Sequence, residues 1–98
     1  MTQLSSIVDG MLSGTGVRDA ANGGYLELCE IGISDVLQRR IAAWLLRYEE
    51  AHFRQYCSRE TNNLLDQEGI EIAGMIESEL PLAKVRYFSN ARMMEVRV

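Results

Sequence analysis

Apolar residues recur at helical spacing in three stretches of this chain and alternate with polar ones in three others. The longest helical stretch covers residues 34–57. At about 100° per residue, Leu37, Ile41, Trp44, Leu45, Tyr48, His52 and Tyr56 fall within an arc of about 120°, the width of a core-facing stripe. Ser34 suits the N-cap and Asp35 the positive end of the helix dipole, so the helix is predicted to start there. Arg39, Arg40, Arg47, Glu50 and Arg54 point to solvent. Leu46 and Phe53 stand outside the stripe, and this surplus apolar pair is the oddity of the segment.

A polar break at residues 58–63 precedes a second helix, predicted from about Asn63 or Asp66 to Leu80. Its inner face carries Leu65, Gly69, Ile72, Ala73, Ile76 and Leu80, with Asp66 as a cap. Pro81 ends it by pushing the preceding residue out of helical geometry. Leu4, Ile7, Val8, Met11 and Leu12 follow the i, i+3, i+4, i+7, i+8 rule, which predicts a short N-terminal helix. The glycines between Gly14 and Gly24 then read as a flexible linker.

The alternating stretches are residues 25–31, 84–89 and 93–98. The first predicts a strand broken by Gly32, and the other two a C-terminal hairpin through Ser89-Asn90-Ala91-Arg92. The expected fold is therefore α+β: a small two- or three-stranded sheet, made of the hairpin and the strand near 25–31, packed on two main helices with a short N-terminal helix. Residues 1–24 are expected to hold that helix and its linker, and 25–98 a single α+β domain.

Composition narrows the classes of function. Ninety-eight residues suit one folding unit with a modest core. The net charge of −4, without any Lys/Arg block, lacks the footprint of a protein that grips phosphate backbones, so direct nucleic-acid binding is not expected. No apolar run reaches the roughly 18–20 residues of a membrane span, and no cleaved targeting signal is expected. Two cysteines cannot build a disulfide framework, which favours a reduced, bacterial-type cytoplasm. Nine arginines against one lysine hint, by association alone, at a GC-rich genome.

Chemistry-bearing motifs are scarce. A structural zinc site takes four converging ligands, whereas His52 and Cys57 sit some 140° apart on a helix, so neither metal nor cofactor is expected. His52 is expected at the core margin, and Cys29 and Cys57 as small packing residues. Neither the Walker nor the dinucleotide glycine pattern is met in residues 10–24. The leading expectation is a small non-enzymatic protein-binding module, such as a subunit, adaptor, inhibitor or immunity-type factor. It would act through apolar helix and hairpin surfaces at Leu46, Phe53, Phe88 and Met93. Leu46 and Phe53 would otherwise be covered by the N-terminal helix, and a two-fold homodimer is the expected outlet for surplus apolar surface. A second reading is an acidic phage-type or regulatory inhibitor that blocks a nucleic-acid-binding site with Glu49, Glu50, Glu71, Glu77 and Glu79. A third is a small enzyme using Cys57 or His52.

Overall fold

A computed structural model describes residues 5–96. Four strands and two helices follow in the order β1 (Ser5–Asp9), β2 (Val17–Asp19), α1 (Asp35–Phe53), α2 (Arg59–Glu79), β3 (Lys84–Ser89) and β4 (Met94–Val96), with a 3-10 turn at Leu28–Glu30. The sheet order is β2-β1-β3-β4. β1 and β3 run parallel at its centre, and an antiparallel hairpin extends each of them to an edge. Joining parallel neighbours needs a crossover, and α1 and α2 supply it. The α+β class is as the sequence implies, with four strands rather than two or three.

The added strands come from the N-terminal region. The helix expected over residues 4–12 is absent: Ser5–Asp9 is β1, and Leu4 lies outside the described residues. Ser6 and Val8 point one way and are buried, directly beside Val85 and Tyr87 of β3. The glycine-rich segment expected as a flexible linker carries β2, whose Val17 is fully buried. The strand expected near 25–31 is reduced to one bridge between Tyr25 and Arg18. The chain then turns through Leu28–Glu30 and reverses at Gly32, whose φ of 90° is the left-handed geometry that glycine adopts without strain.

Both helices begin on a serine cap. Ser34 Oγ accepts from the Leu37 amide at 3.2 Å and Ser58 Oγ from the Thr61 amide at 3.2 Å. Because Ser58 caps it, α2 starts earlier than expected, and Asp66 is a buried inner-face residue rather than a cap. α1 buries Leu37, Ile41, Trp44, Tyr48 and Ala51 against α2, whose inner face of Leu65, Gly69, Ile72, Ala73 and Ile76 lies on β1 and β3. The helices therefore cover one face of the sheet. Trp44 occupies the centre of this layer: it is fully buried, it donates from Nε1 to the Leu65 carbonyl at 2.9 Å, and its ring meets those of Tyr48 and Tyr87.

Gly69 shows how closely the layers approach. A Cβ there would overlap the Tyr87 ring. Alanine favours a helix interior over glycine by about 1 kcal/mol, whereas forced overlap in a packed core costs about 1–3 kcal/mol or more. Gly69→Ala is expected to lose stability on balance. Gly74→Ala, at an exposed position of the same helix with nothing within 4 Å, should gain up to about 1 kcal/mol. Denaturant melts of the pair, with opposite signs expected, check the contact.

Candidate interaction surface

Two buried carboxylates hold the ends of the sheet. Asp66, 4% exposed, accepts from the Tyr87 hydroxyl at 2.7 Å and the Ser89 hydroxyl at 2.9 Å, and Arg92 Nε lies 3.3 Å from it. The Tyr48 hydroxyl approaches the same carboxylate at 3.4 Å while accepting from the Asn90 and Ala91 amides. Ser89 Oγ in turn accepts from the Arg92 amide at 3.1 Å. The cluster thus ties the β3–β4 turn to both helices. Burial, followed by the neighbouring Tyr48 and Asp66, raises the Tyr87 phenol far above the usual tyrosine range, so that it remains a donor.

Asp9 plays the matching part beside β2. It accepts from the Tyr25 hydroxyl at 2.7 Å and from the Met11 amide, and it pairs with Arg18 at 3.4 Å. Burial and the Asp9 hydrogen bond push the Tyr25 phenol up as well. These links fasten the turn and the segment before α1 to the open face of the sheet. Each carboxylate is saturated by protein donors, which is the arrangement of a structural pin.

The four surface residues named from the sequence are not gathered into one patch. Leu46 and Phe53 are each 68% exposed, on the side of α1 opposite its buried stripe, and no N-terminal helix covers them. Phe88 alternates with buried Tyr87 and Ser89, so it lies half-buried on the sheet face turned away from the helices. Met93, 74% exposed, occupies the β3–β4 turn at a φ of 56°.

The helix pair has a companion that sequence reading misses. Val36, also 68% exposed, lies on the same outer side of α1, where Ala43 is exposed too. Val36, Arg39, Ala43, Leu46, Glu50 and Phe53 follow one another at alternating steps of three and four, the spacing of a seam along a helix. Val36 hides among the first-turn residues beside the core residue Leu37. The 3-4 rhythm itself is the signal that could have found it.

At the α1–α2 corner, Gln55 and Tyr56 both adopt left-handed backbone, with φ of 57° and 53°. The Tyr56 amide donates to the Ala51 carbonyl at 2.9 Å, and its ring packs edge-on against Tyr48. An open groove of about 310 Å³ beside this corner is lined by Arg47, Arg54, Cys57, Thr61 and Leu64 among others. Cys57 and Cys29 are exposed rather than packed as apolar fillers, since neither faces the core layer. His52 is exposed at the helix end, its Nδ1 3.4 Å from the Tyr56 hydroxyl and its ring against Phe53. Among the described residues, no hydrogen bond joins His52 to Cys57 and no three His, Cys, Asp or Glu side chains converge as metal ligands. No helix among those residues is long and apolar enough to cross a membrane. No protein-family model and no curated protein matches this chain.

Proposed function

We propose that this chain is a small non-enzymatic protein-binding module whose docking face is the outer side of α1. The observation that carries this reading is the alignment of Val36, Leu46 and Phe53, each two-thirds exposed, along one helix face with Ala43 between them. Single exposed apolar residues are ordinary, but an aligned series marks a contact surface. Leu46 and Phe53 are its anchors. Met93 and Phe88 belong to separate, smaller contact regions at the hairpin and the open sheet face.

The acidic-inhibitor reading draws less support. Three of the five carboxylates it needs are engaged within the chain: Glu71 pairs with Arg40, Glu77 accepts from the Val85 amide, and Glu79 accepts from Ser34. Two exposed free thiols, Cys29 and Cys57, suit a reducing compartment, and we place the protein in the cytoplasm on that ground.

A photo-crosslinking side chain installed at position 46 or 53, in the cells that natively make this chain, tests the surface. A discrete adduct is expected from both positions and none from exposed Gln67 on α2. Silence at both 46 and 53 would remove the proposal.

A further inference from the structure

We infer that the occupant of the outer face of α1 is a second copy of this chain, bound antiparallel along the same seam. The inference rests on that face being a docking surface and adds what docks there. Its ground is an internal symmetry of charge and size. Read from its start, the seam runs Val36, Arg39, Ala43; read backwards from its end, it runs Phe53, Glu50, Leu46. A two-fold axis crossing α1 between Ala43 and Leu46 sets Val36 opposite Phe53, Arg39 opposite Glu50 and Ala43 opposite Leu46 of the other copy. Large residues meet smaller ones, and the cation of each copy meets the anion of the other. On the flank, Asp35 falls opposite Arg54.

The alternative alignment is excluded by the same residues. A parallel pair sharing this seam would stack Arg39 on Arg39 and Glu50 on Glu50, which repels. Free charges also favour the antiparallel pair. Arg39 has no ion-pair partner among the described residues, although its neighbours Arg40 and Arg47 are engaged with Glu68 and Glu71 of α2. Glu50 is held only by Arg54, in a pair with both side chains about two-thirds exposed. Such a pair exchanges partners at little cost, leaving Glu50 for Arg39 and Arg54 for Asp35 of the other copy.

Two helices meeting over Val36 to Phe53 make contact along about 27 Å, an interface at the small end of the specific range. Association is therefore expected at micromolar concentration, with Kd on the order of 10–100 µM. Sedimentation equilibrium of the full chain should show a mass that rises from the 11.1 kDa monomer towards twice that value as concentration passes through this range. Arg39→Glu and Glu50→Arg should each weaken self-association at least tenfold, because each sets like charges opposite each other twice. An equimolar mixture of the two single variants should associate again: the introduced glutamate of one copy then faces the introduced arginine of the other, and the native Glu50 faces the native Arg39. The double variant should self-associate like the wild type. Thermal melts of the single variants are expected to match the wild type, as both positions are exposed.

A concentration-independent 11.1 kDa mass up to about 500 µM overturns the second copy, because it exceeds the expected Kd severalfold. Failure of the mixture to regain association overturns the antiparallel seam. If the wild type is monomeric while the probe at position 46 still captures a different protein, the docking surface stands and the second copy falls. If positions 46 and 53 both capture nothing and the chain is monomeric, both fall.

Discussion

Replacing Trp44 by alanine is expected to destabilise the protein by roughly 3–5 kcal/mol, through lost burial and the cavity left behind. The ring is fully buried between α2 and the two tyrosines, and truncation also removes the donor to the Leu65 carbonyl. Relaxation into the void is limited, because Tyr48 and Tyr87 are both fixed by hydrogen bonds at their far ends. A loss of this size approaches the whole stability of a small domain. Trp44→Phe, which keeps a ring but not the donor, should lose less. Denaturant melts of the three proteins measure this, and a shift under about 1 kcal/mol for alanine would show that the ring is not the keystone of this layer.

The second large effect is expected at Asp66. Asp66→Ala strips the buried Ser89 hydroxyl of its acceptor and leaves the buried Tyr87 hydroxyl only the Tyr48 oxygen at 3.4 Å, while Arg92 keeps Asn63 Oδ1 at 3.1 Å. Each stranded buried donor costs about 1–3 kcal/mol, so a total loss of about 3–5 kcal/mol is expected after partial rearrangement. Arg92 stays partly solvated and contributes least. The damage should be local first. Amide exchange ought to accelerate in residues 89–94 before the helices are affected, because Ser89 Oγ and Tyr48 hold those amides only while Asp66 holds them. Uniform acceleration across the chain, or none, would contradict the assignment of Asp66 as the pin of that turn.

The helices are legible in the sequence, and the centre of the sheet is not. Ser34 with Asp35 and the Leu37-Ile41-Trp44-Tyr48 stripe locate α1 by local chemistry alone. Pro81 does the same for the end of α2. β1 defeats local reading because Leu4, Val8 and Leu12 are spaced by four, which satisfies both a helical face and the even period of a strand. What makes residues 5–9 a strand is a parallel partner at 84–88, and such a partner leaves no local mark. Residues 25–31 fail in the opposite sense: they alternate, yet they meet the three-residue edge strand β2 in one bridge at Tyr25 before the chain turns away at Leu28–Glu30.

The candidate surface divides along the same line. Leu46 and Phe53 stand out because they break the stripe, whereas Val36 sits beside the core residue Leu37 in the first turn and is marked only by the 3-4 rhythm it shares with them. Phe88 and Met93 are near in sequence, but strand alternation and the turn send them to different places. The pins at Asp66 and Asp9 have no signature, since each gathers donors from three or more segments.

The parallel pairing of β1 with β3 also sets a timetable for biosynthesis. β1 emerges from the ribosome about 80 residues before its central partner, an interval of roughly 4 to 16 seconds at ordinary elongation rates. During that interval β1 and β2 form at most a lone hairpin, whose buried positions Val8 and Val17 have no β3 beside them and no α2 above them. Nascent chains therefore pass through a period of exposed apolar edge that an all-antiparallel order of the same strands would shorten. Ribosome-bound holdases would find their target in residues 5–19 until residues 84–88 have been made and have left the ribosome.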